Sequence, residues 1–150
     1  MQQTLNLNPM KKIIFTLALF GLAQLSVFAQ AETTGIRFFE GTYEEALAKA
    51  REENKLIFMD AYTTWCGPCK WMSRNTFTDE SVAVFFNENF INVKMDMERG
   101  EGPELARKFR IRGYPTLLFL DAEGSIAHQK LGALPANQFL DLGKEAQTKL

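Results

Sequence analysis

Apolar and polar residues alternate along this chain with two periods, and the switches between them mark its elements. Thr42 with Glu45 three residues on forms a capping box, and Ala46, Leu47 and Ala50 follow at helical spacing, which predicts a helix from Thr42 to Asn54. From Lys55 to Tyr62 the period becomes two. Leu56, Phe58 and Tyr62 alternate with Ile57, Met59 and Ala61, so both faces are apolar and the strand belongs inside a covered sheet. Pro68 is tolerated only in the first turn of the helix that follows, so Cys66 lies at or just before that helix's amino end. Asp79 caps a further short helix towards Asn89, and Phe90 to Met97 reads as a second strand. After a charged loop from Glu98 to Gly102, Pro103 opens a helix to about Phe109. Thr116 to Leu120 and Ile126 to Leu131 are strands joined by Asp121-Ala122-Glu123-Gly124, and Pro135 opens a last helix carrying Phe139, Leu140 and Leu142 on its apolar side. Helices alternate with strands until one hairpin closes the sheet. This order predicts an α/β fold with a central mixed sheet flanked by helices.

The amino-terminal stretch breaks that pattern. Lys11 and Lys12 precede a short apolar run from Ile13 to Phe28, which exits at Val27-Phe28-Ala29 with small residues where a signal peptidase reads them. This is the pattern of a secretory signal peptide over residues 1–29, leaving a domain over residues 30–150. An uncleaved anchor is the alternative, but the densest part, Ile13 to Leu25, is short of the roughly 20 apolar residues that a span prefers. An exported protein of the periplasm or cell envelope is therefore expected.

Composition narrows the function classes. The chain has 150 residues, which suits one domain, and 17 Lys plus Arg stand against 18 Asp plus Glu. With a formal net charge of −1 and no basic run, no nucleic-acid partner is expected. Two cysteines and one histidine fall short of a closed structural zinc site, and neither metal nor cofactor is expected.

Those two cysteines carry the chemistry. In Cys66-Gly67-Pro68-Cys69 both sulfurs meet across the first turn of a helix. At the exposed helix terminus, Cys66 faces free N–H groups and the positive end of the helix dipole, which favour thiolate over thiol. Cys69, one turn further in, is placed to resolve a mixed disulfide. Three other readings of the pair remain open on the residues alone, one of them a chance occurrence of the spacing. It could be a metal half-site with His128, or a static disulfide, although loop closure stabilises so small a ring little. Met59, Met72, Met95 and Met97 would serve metal delivery, but methionines at such spacing usually pack.

Four landmarks in order carry a resemblance. Trp65-Cys66-Gly67-Pro68-Cys69-Lys70 resembles the active site of thioredoxins, and Asp60 falls where they keep a buried acid. Arg112-Gly113-Tyr114-Pro115-Thr116 is similar to their cis-proline segment, and Lys130-Leu131-Gly132-Ala133-Leu134 to their groove-lining glycine turn. The resemblance implies a thioredoxin-like fold over roughly Ile36 to Leu150 and thiol–disulfide oxidoreductase activity on protein disulfides. It implies catalysis by Cys66, Cys69 and Asp60, and client binding along Trp65, Gly67, Pro68, Tyr114, Pro115 and Gly132. The expected partners are disulfide-containing client proteins and a membrane electron donor, and the expected state is a monomer. A client-binding module, a disulfide oxidase and an isomerase are the competing functions.

Asp60 shares a strand face with Phe58 and Tyr62, so it is expected to be buried and unpaired, with a raised pKa suited to accepting the Cys69 proton. Thioredoxins keep a lysine near this acid. Aligned here, Asn92 takes that lysine's position, with Lys94 one same-face step on. Trp71, Phe77, Phe85, Phe86, Phe90 and Phe119 are expected in the core, and His128 on a surface strand.

Overall fold

The computed structural model describes residues 35–149. The predicted leader and the predicted domain start at Gln30 lie outside the described residues. Helix α1 (Tyr43–Glu53) starts as the capping box dictates: the Thr42 side chain accepts from the Glu45 N–H while the Glu45 carboxylate accepts from the Thr42 N–H. It leads into strand β1 (Leu56–Tyr62). Helices α2 (Gly67–Asn75) and α3 (Glu80–Asn89) follow, α3 being capped by Asp79 accepting from the Val82 N–H. Strand β2 (Phe90–Asp96) and helix α4 (Gly102–Lys108) come next. The hairpin of β3 (Thr116–Leu120) and β4 (Ile126–Leu131) leads to helix α5 (Ala136–Gln147). The prolines expected to open the last two helices shift slightly: Pro103 is the second residue of α4, and Pro135 is the N-cap of α5, ahead of its first turn.

The sheet order is β2-β1-β3-β4, with β1 parallel to β2 and antiparallel to β3, and β3 antiparallel to β4. As its two apolar faces require, β1 is a central strand. Ile57, Met59 and Ala61 join Leu47, Ala50, Leu105 and Phe109 in one core, under α1 and α4. Leu56 and Phe58 face the other, with Met72, Val82, Phe86, Phe119 and Phe139. This second core is a phenylalanine cluster in which Phe86 stacks on Phe139 at 4.2 Å between ring centres and Phe58 meets both edge-on. Each ring so buried contributes about 1.5–3 kcal/mol relative to exposure. The extended segment before α1 is tied down at both ends, by Ile36 N–H to the Phe77 carbonyl and Phe39 N–H to the Asn92 carbonyl.

One expectation is corrected here. Trp71 lies outside the core, 45% exposed, because Cys69, Met72 and Thr76 take the inward face of α2 and leave Lys70 and Trp71 outside. His128 lies on the edge strand β4, partly exposed, its ring 6.2 Å from that of Phe119 and its Nε2 3.7 Å from Glu145 on α5. Phe77, Phe86, Phe90 and Phe119 are buried as expected, with Phe85 partly so. Among the described residues no helix is long and apolar enough to cross a membrane.

Candidate active site

Beyond β1 the chain turns through Thr63 and Thr64 into α2, and Cys66 is the N-cap of that helix. The Cys66 N–H donates to the Thr63 carbonyl at 3.2 Å, and Cys66 Sγ accepts from the Cys69 N–H at 3.1 Å. A sulfur thus fills the place of the oxygen that ordinarily caps a helix, and Pro68 occupies the first turn, where no N–H is missed. Cys66 and Cys69 are joined in a disulfide with their Cα atoms 5.3 Å apart. In this oxidised form Cys66 is buried, against the expectation of an exposed terminus, because the bond turns its sulfur towards Cys69. The exposed parts of the motif are Trp65, Gly67, Pro68 and Lys70, and a side chain at Gly67 would meet open space.

Asp60 is 1% exposed on β1. It is not unpaired, which corrects the expectation: Lys94 Nζ on β2 lies 2.5 Å from Asp60 Oδ2. The parallel register places Lys94 beside Asp60 and Asn92 beside Phe58. It is Lys94, and not Asn92, that meets Asp60. The Asn92 amide instead donates to the carbonyls of Phe86, at 3.1 Å, and Arg37, at 3.4 Å. Burial pushes the Asp60 carboxyl above the ordinary carboxylate range, and the neighbouring Lys94 charge and hydrogen bond only partly pull it back. Among the described residues Asp60 Oδ1 has no hydrogen-bonding partner. An acid held this way keeps its proton to a higher pH than an exposed one.

Of the residues expected to line a groove, Trp65, Tyr114, Pro115 and Gly132 meet about one peptide bond. Tyr114–Pro115 is cis, and the Pro115 carbonyl accepts from the Gly132 N–H at 2.9 Å. Gly132 has φ +98°, which glycine adopts without strain. The Tyr114 ring meets Trp65 edge-on at 5.9 Å, so this segment adjoins the cysteine motif. Trp65, 65% exposed, is steadied by its indole N–H donating to Glu98 at 3.0 Å.

Glu98 and Ser73 are two site neighbours that the sequence reading passed over. Glu98 sits in what reads only as a charged loop. Ser73, one turn after Cys69 on α2, accepts from Lys94 Nζ at 3.1 Å. Its spacing of four from Cys69 was the available signal. Among the described residues no three His, Cys, Asp or Glu side chains gather as a metal site requires.

Comparison with known proteins agrees with this picture. The profile of the family described as thioredoxin-like matches residues 39–122, more than half of the chain. A thiol:disulfide interchange protein DsbD from Vibrio vulnificus is 31% identical over 144 residues, covering 86% of this chain and 24% of its own length. The chain spans about a quarter or less of the curated relatives of this kind. Among solved structures, a proposed disulphide-isomerase from Bacteroides thetaiotaomicron is 46% identical, with a TM-score of 0.69 over 78% of this chain and 97% of that one. The oxidised carboxyl-terminal domain of Neisseria meningitidis DsbD, at 22% identity, shares the fold, with a TM-score of 0.60 over 74% of this chain and 98% of that one. With this fold over more than half of its length, the chain belongs to the thioredoxin-like family.

Proposed function

We propose that the protein is an exported reductase of protein disulfides in the cell envelope, working as a monomer, with residues 1–29 removed as a leader. The observation that carries this reading is Cys66 at the N-cap of α2, its sulfur accepting the Cys69 N–H. In the reduced protein the same N–H and the helix terminus favour a Cys66 thiolate. That thiolate attacks a client disulfide, one client sulfur leaves as a thiolate, and a mixed disulfide forms. Cys69 then gives its proton to Asp60 and attacks Cys66 Sγ. The bond to the client breaks, the second client sulfur leaves, and the Cys66–Cys69 disulfide closes. One client disulfide becomes two thiols and the protein dithiol becomes a disulfide, so a membrane electron donor must reduce the pair again.

Trp65, Gly67, Pro68, Tyr114, Pro115 and Gly132 are the surface on which an extended client segment lies, main chain beside Pro115. The 46% identical disulphide-isomerase candidate supports a second reading, in which the same pair shuffles client disulfides without net electron flow. Insulin reduction by the purified protein, with Cys66→Ser as control, tests the activity. Turnover that survives the substitution, or none in the wild type, overturns it. Cys69→Ser expressed in the native host traps clients on Cys66, and the amino-terminal sequence of the exported protein tests the leader. Turnover of scrambled disulfides without an electron donor favours the isomerase.

A further inference from the structure

Lys94 is held more closely than an ion pair with Asp60 requires. Its Nζ lies 4.5 Å from the centre of the Tyr62 ring and 5.3 Å from those of both Phe38 and Phe77, all within cation–π range. Its two hydrogen bonds go to Asp60 Oδ2 and to Ser73 Oγ. The three rings set where the ammonium sits, but only the two oxygens give it direction. Of these, Ser73 belongs to the cysteine helix, four residues after Cys69 and so on the same face. A chain of contacts therefore runs from α2 through Ser73 and Lys94 to Asp60.

Resting on the reading of Asp60 as the acceptor of the Cys69 proton, we propose that Ser73 is a positioning residue. Its hydroxyl, with the cage of Tyr62, Phe38 and Phe77, keeps the Lys94 ammonium on Asp60 Oδ2 and so leaves Oδ1 as the oxygen that takes the proton. The unpartnered, buried Oδ1 is the atom this arrangement sets aside. Among the described residues, the ionisable and polar groups recorded about Asp60 and its ammonium partner are Lys94 from β2, Ser73 from α2 on that ammonium, and Tyr62 from β1, itself near Asp96 and Arg99. From β3 the register partner is Leu117, which brings no charge.

Without the Ser73 hydroxyl the ammonium is less firmly directed at Asp60, the effect of burial is less opposed, and the carboxyl titrates higher. The test is single-turnover release of a client peptide from its mixed disulfide with Cys66, followed from pH 5 to 10 in wild type, Ser73→Ala, Ser73→Thr and Asp60→Asn. Carboxyl carbon NMR of Asp60 in the reduced protein runs in parallel. Ser73→Ala is expected to move both midpoints up by about half a pH unit and to slow release about threefold below the midpoint, while Ser73→Thr restores both. An unmoved Asp60 midpoint in Ser73→Ala, or a shift that threonine fails to restore, overturns the positioning role. Release that is unchanged in Asp60→Asn overturns the reading beneath it, whereas slow release there with wild-type behaviour in Ser73→Ala overturns this inference alone.

Discussion

Across 33 positions of sequence, the Trp65 indole donates a hydrogen bond to the Glu98 carboxylate at 3.0 Å. The ring it steadies is the most exposed aromatic surface beside the disulfide. Glu98 holds Trp65 on one edge and the Tyr114 ring touches it, so two contacts orient the exposed indole.

Glu98→Ala is therefore expected to weaken client binding rather than chemistry. Loss of one exposed, charge-assisted hydrogen bond, about 1 kcal/mol, corresponds to a roughly fivefold rise in KM for insulin with kcat little changed. Steady-state kinetics separate the two, and a fall in kcat at constant KM would place Glu98 in the exchange steps instead.

Asp60 makes stability depend on pH in a definite direction. Its folded carboxyl titrates above the ordinary range, so between the two values the folded protein holds a proton that the unfolded chain has released. This favours the folded state at low pH, and the advantage is lost as pH rises from about 3.9 through the raised value. Asp60→Asn has no such decline. Urea midpoints of the oxidised proteins are expected to separate progressively towards alkaline pH, with the variant the more stable, and to converge near pH 4. Parallel curves would show that Asp60 titrates as it does in the unfolded chain.

The two thiols of the reduced protein are expected to differ in reactivity. Cys66 caps the helix and accepts the Cys69 N–H, whereas Cys69 lies within the first turn. With Cys69→Ser and Cys66→Ser each presenting a single thiol, iodoacetamide at pH 7 should alkylate Cys66 at least about tenfold faster. Equal rates would refute the division of labour between them.

Gly67-Pro68 places no ionisable group between the cysteines, so no side chain within the motif adds to the stabilisation of the thiolate. A reducing couple follows, near the thioredoxin value of about −270 mV, and equilibration against dithiothreitol redox buffers measures it. A potential above about −180 mV would point to an oxidase or isomerase.

Most of the fold was legible because its signals are local. The capping box at Thr42 and Glu45, the two-faced apolar β1 and the Asp79 cap each need only a few neighbouring residues, and each is found where expected. The cysteine motif and the Gly113–Thr116 segment were legible as linear patterns, and they adjoin through Trp65 and Tyr114. What stayed hidden depends on pairing between distant strands and helices. The register of β2 on β1 decides that Lys94, and not Asn92, meets Asp60, and nothing in the spacing of either strand states that register. The Trp65–Glu98 bond and the Ser73–Lys94 contact exist only once α2 and the loop after β2 are placed. Trp71 misleads because an aromatic residue beside Met72 looks like core until the helix shows its phase.

The sulfur that caps α2 is also one of the two that exchange, which ties this helix to the redox cycle by a closed thermodynamic loop. Unfolding the reduced and the oxidised protein, and oxidising the folded and the unfolded chain, are four sides of one square. Any change that strengthens the first turn in only one redox state must move the unfolding free energy of that state and the potential of the folded couple by the same amount. A substitution at Pro68 or Lys70 that stiffens the helix more in one redox state than in the other is then also a change of driving force, about 1.4 kcal/mol for every 30 mV. Only a change that acts equally on the reduced and the oxidised helix leaves the potential where it was.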